Sequence, residues 1–248
     1  MTAPASDRPG TDPDDDLGRF AEIENWIFDL DDTLYAMSPE LATMFDRRMR
    51  TFIAREMGLS EDKASEVQHD LFRRHGATAR GLMIEHGISA DDFLDYVHDV
   101  DHRSVAPDPA LAATIAALPG RRYVLTNSPM SHAERVIAQL GVDGHFADIF
   151  DFSRSGHHAK PSPLVYQRLI DETGIDPGRA AMFEDMARNL AEPQRLGMTT
   201  VLVVVPKTRN LFRGEWDLEA GPSPKVDFIT ENLGGFLGAI IAEIGRRR

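Results

Sequence analysis

The 248-residue chain contains no cysteine, which excludes disulfides, zinc–thiolate centres and cysteine nucleophiles. It has no apolar run approaching the ~20 residues that cross a bilayer. Nor does it open on a basic-then-apolar leader pattern, so a cytoplasmic protein without a membrane partner is expected. Positive charge is scarce: 27 Lys and Arg stand against 40 Asp and Glu, a net charge of −13. Such a balance disfavours polymeric nucleic acid and anionic membrane as partners. A small anionic substrate would have to be met by cations placed locally. With 42% hydrophobic residues, the length suffices for one large domain or two modest ones, as monomer or homodimer.

What is abundant is carboxylate, and its densest cluster follows an apolar run. Trp26, Ile27 and Phe28 suit a strand buried on both faces of a parallel sheet. Asp29, Asp31 and Asp32 then come within four residues. Alternation along an extended chain puts Asp29 and Asp31 on one side, at the strand end where open α/β sheets bind ligands. Charge gathered in this way is relieved by a bound cation or a shared proton. Taken alone, the cluster is equally an acidic turn after a strand.

Residues 1–20 are rich in Pro, Asp, Gly and Ser and read as a disordered tail. Residues 21–35 begin an α/β core that resumes over 105–248. Between them, residues 36–104 carry helical periodicity only. Ser38-Pro39 starts the first helix and Gly58 stops it; Ser60 starts the second, which ends near Gly76. A third runs to His86, and Ser89 opens a fourth. This helical insertion directly follows the acidic strand end, as a substrate-covering cap would. From residue 105 strands are expected over 122–126, 149–152, 180–183 and 199–205, with helices between them. Residues 206–226 read as an irregular surface stretch, and 226–229 as a further edge strand. The alternation predicts a parallel sheet covered by helices on both faces, a Rossmann-like three-layer core.

Four features fall at or just beyond successive strand ends. Asp29 and Asp31 are the first. At Thr126-Asn127 a hydroxyl and backbone N–H groups can hold anionic oxygens. Lys160 offers a cation from a loop, and Glu184-Asp185 is followed by Asn189. Each alone has a plain structural reading: helix start, solvated lysine, acidic helix N-terminus. Together, Asp29 and Asp185 provide hard oxygen ligands suited to Mg²⁺. Thr126, Asn127 and Lys160 balance the charge of a phosphate, and phosphoryl transfer needs such positioning and charge stabilisation.

The ordered set DLDDT, TNS, KP and EDMARN resembles the haloacid dehalogenase superfamily of aspartate-nucleophile phosphatases, over residues 25–205. The insertion occupies the position of that superfamily's first cap type. The resemblance implies a sheet order of five-four-one-two-three, with Asp29 as nucleophile and Asp31 as general acid/base. It implies Thr126 and Lys160 as catalytic phosphate binders. Metal binding falls to Asp29, Asp185 and the Asp31 carbonyl, with Glu184 and Asn189 in support. Members that break carbon–halogen bonds lack an aspartate at the Asp31 position, so a phosphatase is expected. Asp31 must then be held partly protonated, through burial and neighbouring carboxylates.

The stretch from His75 to Met83, with DLDDTLY, resembles the pyrimidine 5′-nucleotidase branch, which acts on UMP- and CMP-type monophosphates. Thr78 and Arg80 become candidate substrate contacts, although Gly76–Gly81 serves equally as a helix-to-helix turn. His69, His75, His86 and His98 show no metal-ligand spacing and read as surface or cap residues. Behind this reading stand a phosphatase of another small metabolite (sugar phosphate or phosphoglycolate), a dehalogenase, and a non-catalytic binding protein.

Overall fold

The computed structural model describes residues 17–204 and 225–247. The tail expected over residues 1–16 and most of the irregular stretch lie outside the described residues. Leu17–Glu22, whose first four residues were expected in the tail, forms a 3-10 turn instead. Its anchor is Phe20, fully buried and stacked on Trp26 at 6.0 Å. One large aromatic ring outweighs the polar composition around it.

β1 (Asn25–Phe28) is buried along its whole length. Four helices follow: α1 (Pro39–Met57), α2 (Glu61–His75), α3 (Thr78–His86) and α4 (Ala90–His98). The boundaries obey the capping chemistry. Ser38 and Ser60 accept N–H bonds from Leu41 and Lys63, and Gly58, Gly76 and Gly87 close the helices. The chain then alternates through α5 (Pro109–Ala117), β2 (Arg121–Leu125), α6 (Met130–Leu140), β3 (Asp148–Phe150) and α7 (Pro163–Thr173). It continues with β4 (Ala180–Glu184), α8 (Ala191–Leu196), β5 (Thr199–Val203), β6 (Phe228–Thr230) and a last helix, Leu233–Arg247. The helix expected over 189–196 begins as a 3-10 turn, Ala187–Leu190. Pro193 has no N–H to give and is accommodated in the first turn of α8.

The six strands are parallel, in the order β3-β2-β1-β4-β5-β6. The five-strand order implied by the resemblance lies within it, and β6 extends it at the expected edge. Alternate side chains serve two cores. Trp26, Phe28 and Phe183 face α5, α6 and the last helix. Ile27, Leu125 and Met182 face α7 and the segment leading into α8. This is the Rossmann-like three-layer architecture, with β1 central and its C-terminal end beside those of β2 and β4. Among the described residues, no helix is long and apolar enough to cross a membrane.

Candidate active site

Ladder pairing continues one residue beyond β1, where Asp29 N–H donates to the Phe183 carbonyl at 2.9 Å. The chain then turns sharply. Leu34 N–H returns to the Leu30 carbonyl at 3.0 Å. Asp32 takes a φ of 60°, a left-handed conformation aspartate tolerates better than most residues. This exit turns Asp29 and Asp31 into one cavity of about 180 Å³, shared with Thr126, Asn127, Lys160, Glu184, Asp185 and Asn189. All the core site residues expected from sequence therefore meet in one place.

Lys160 is the hub. Its Nζ donates to Asp29 Oδ1 at 2.6 Å, Glu184 Oε2 at 2.7 Å and the Leu125 carbonyl at 2.8 Å. Burial pushes the Lys160 pKa down, but Asp29 and Glu184 outweigh it and hold the ammonium above its ordinary value. Glu184 is equally engaged. Its Oε1 accepts from Met186 N–H at 3.2 Å and Asn189 Nδ2 at 3.0 Å. Buried completely and bonded on both oxygens, Glu184 holds Lys160 and Asn189 in place.

Asp29, Glu184 and Asp185 each offer an oxygen within 4.8 Å of the others. Burial first, and the Glu184 charge second, push Asp29 up to about 7. Asn189 Oδ1 is buried without a partner among the described residues. A set of hard oxygens short of positive charge fits a divalent cation of the Mg²⁺ or Ca²⁺ kind.

Thr126 and Asn127 occupy the turn after β2. Thr126 Oγ1 accepts Ser128 N–H at 3.0 Å. The Asn127 side chain is committed to the Lys160 backbone, accepting its N–H at 2.8 Å and donating to its carbonyl at 3.4 Å. Asn127 thus pins the loop that carries the lysine, and any anion contact falls to its backbone.

Asp31 differs from expectation. Its Oδ1 receives the Tyr35 hydroxyl at 2.6 Å and lies 2.8 Å from His132 Nε2; Oδ2 receives the Ser128 hydroxyl at 2.8 Å. Burial alone would raise its pKa, but His132, Tyr35 and Ser128 outweigh it and hold Asp31 well below the usual carboxylate range. The expected protonated Asp31 is therefore corrected: Asp29 is the raised carboxyl and Asp31 the lowered one. His132 is fully buried, with Nδ1 2.8 Å from His102 Nε2. His98, expected as an ordinary surface or cap residue, is buried 4.8 Å from the His132 ring. Burial pushes it down to about 3, with the His132 charge adding to the effect. Tyr35, Ser128, His102 and His132 escape the sequence reading. The available signal was positional: Ser128 and His132 follow closely after Thr126, and Tyr35 is four residues after Asp31.

A second cavity, of about 220 Å³, lies between the helical insertion and Asp31, Asn127 and Ser128. Phe45, Met49, Phe72, Phe93 and Leu94 supply much of its wall, and Thr78 and Gln68 also line it. Thr78 Oγ1 donates to the Gln68 carbonyl at 3.3 Å. Arg80 is not part of this wall; its guanidinium donates to the His157 carbonyl, in the loop leading to Lys160. Gly76 abuts the same loop, with a φ of 81° and a position where a Cβ would stand 2.5 Å from the Lys160 carbonyl. The helix-to-helix turn is thus only Gly76-Ala77, and together with the first turn of α3 it touches both the cavity and the lysine loop.

Comparison with known proteins places this geometry. Phosphate metabolism protein 8 of Saccharomyces cerevisiae is 25% identical over 215 residues, 78% of this chain and 64% of that protein. The chain therefore spans just under two thirds of that relative. Phosphoglycolate phosphatase of Vibrio vulnificus is 22% identical over 240 residues, 89% of this chain and 97% of that protein. The fold is similar to that of β-phosphoglucomutase from Clostridium difficile, with a TM-score of 0.59 at 17% identity over 91% of this chain and 98% of the other. A haloacid dehalogenase-like hydrolase model matches residues 23–197, which include every residue of the site from Asp29 to Asn189, and the chain belongs to that hydrolase family.

Proposed function

We propose that the protein is a Mg²⁺-dependent phosphomonoester hydrolase acting through an aspartyl-phosphate. The substrates proposed are pyrimidine nucleoside 5′-monophosphates of the UMP and CMP type. The observation that carries this reading is the division of labour between two carboxylates. Asp29 lies against the Lys160 ammonium, and Asp31 is turned away into three donors of its own.

Asp29 attacks phosphorus while the bond to the leaving oxygen breaks, giving the aspartyl-phosphate. Lys160 and the Thr126–Asn127 turn balance the phosphate charge. Asp31, ionised in the free site, relays a proton received from its histidine neighbour to the leaving oxygen and later takes one from the attacking water. His132 Nε2, 2.8 Å from Asp31 Oδ1, is placed to exchange that proton. Asp29, Asp185 and the Asp31 carbonyl would hold the ion, with Asn189 in support. Bound there, Mg²⁺ screens the repulsion between carboxylate and phosphate.

Helices α1 to α4, over residues 36–104, act as the cap on a core of residues 21–35 and 105–248. The cavity beneath them favours a base over the other substrates weighed. No Lys or Arg is among its lining residues, so the carboxylate of phosphoglycolate finds no permanent counterion there. The largely apolar wall likewise fails to satisfy the hydroxyls of a sugar phosphate. Phosphate release from UMP, CMP, ribose 5-phosphate and phosphoglycolate, each with and without Mg²⁺, tests the proposal. The nucleotides should be hydrolysed fastest and only with the metal. No turnover of any phosphomonoester would revive a non-catalytic binding role.

A further inference from the structure

We infer that Gln68 is a specificity residue: a buried acceptor that receives an N–H from the edge of the leaving group's base. The inference rests on the nucleotide reading above and assigns the residue that reads the base. Gln68 sits on α2, is only 3% exposed, and lines the cavity that opens from Asp31 and Ser128. The direction of its amide is set by chemistry. Nε2 donates to Asp46 Oδ1 at 3.0 Å, and Asp46 is paired with Arg50 at 3.1 Å. An ionised carboxylate only accepts, so the amide cannot be reversed.

Oε1 is thereby left buried, with no partner among the described residues. An unmade bond of this kind is costly unless something supplies a donor. The neighbouring Thr78 hydroxyl is already given to the Gln68 carbonyl. A ligand N–H supplies the missing donor. Uracil presents one at N3 and cytosine at its exocyclic amine, whereas ribose and glycolate have none.

The test compares kcat/KM for UMP and N3-methyl-UMP, with ribose 5-phosphate alongside, in the wild type, Gln68→Met and Asp46→Asn. The wild type should prefer UMP over the methylated analogue by about tenfold or more. In Gln68→Met that preference should collapse to within about twofold, because the thioether is a weak acceptor. Asn at position 46 can donate as well as accept, so the amide is free to reverse and the preference should shrink. Equal wild-type rates on UMP and N3-methyl-UMP overturn the role of Gln68 while leaving the nucleotide reading intact. This arm needs no substitution, so a misfolded variant cannot obscure it. A preference for UMP that survives in both variants overturns the role too. Faster hydrolysis of ribose 5-phosphate than of UMP removes the nucleotide reading and this inference with it.

Discussion

His132 Nε2 lies 2.8 Å from Asp31 Oδ1, and the ring that carries it is fully buried between His98 and His102. The contact divides two carboxylates that neighbour each other in sequence. Asp31 is drawn into donors and kept ionised, while Asp29 is pushed up to about 7 by burial and Glu184. Paired titratable groups whose surroundings push them apart are the usual mark of divided acid–base roles.

Removing that histidine should damage proton delivery more than binding. In His132→Ala, kcat on UMP is expected to fall about tenfold to a hundredfold with little change in KM, at the low end of what general acid–base catalysis carries. His132→Gln, which keeps a donor, should recover part of the loss. p-Nitrophenyl phosphate, whose leaving group departs without a proton, should lose much less. Equal losses on both substrates would show that His132 serves only the packing.

Asp29→Asn should abolish turnover on every phosphomonoester and leave the fold intact, because the amide oxygen can still accept from Lys160. Stability at neutral and higher pH should be unchanged or raised, since the ionised form of Asp29 is the one its surroundings disfavour. Thermal unfolding of a freshly purified sample, checked for deamidation, would measure this. Retained activity in such a sample would remove Asp29 from the nucleophile's role.

The raised Asp29 also sets a pH dependence. Its folded value of about 7 lies above the ordinary 3.8, so the native state holds this proton more tightly than the unfolded chain does. Its contribution to stability is complete below the unfolded value and is lost as pH rises through about 7. A cation bound by Asp29 competes with that proton. The gain in Tm on adding Mg²⁺ should therefore be larger near about pH 8 than near about pH 6. A gain independent of pH would mean that the ion binds elsewhere.

The sequence revealed what lies at strand ends. Asp29, Thr126 and Asp185 each close a short apolar run, Lys160 comes from the loop after β3, and in a parallel sheet those ends converge. What stayed hidden depends on rotation about helices rather than on position along strands. His132 on α6 and Gln68 on α2 look like any polar residue on an amphipathic helix until the helix phase is known. The protonation of Asp31 was misjudged for the same reason, because three donors from two separate segments had to be seen around it. Phe20 was missed differently, as a single anchor inside a composition that otherwise reads as unstructured.

Gly76 joins the insertion to the catalytic loop, and a matched pair of substitutions separates that role from simple strain. Gly76 and Gly58 both end helices at positive φ, 81° and 66°. An alanine at either should cost about 1–2 kcal/mol for the left-handed conformation. Their surroundings differ: nothing lies within 4 Å of a Cβ built at Gly58, whereas at Gly76 it meets the Lys160 carbonyl at 2.5 Å. That carbonyl belongs to the backbone Asn127 pins, so it cannot yield without moving the lysine. Both variants should lower Tm, Gly76→Ala by more, because its Cβ adds a backbone clash to the strain. Only Gly76→Ala should lose kcat/KM, and it should do so on p-nitrophenyl phosphate as well as on UMP, because the disturbed group is the ammonium beside the nucleophile. Full activity in Gly76→Ala would mean the insertion can shift without carrying Lys160 with it.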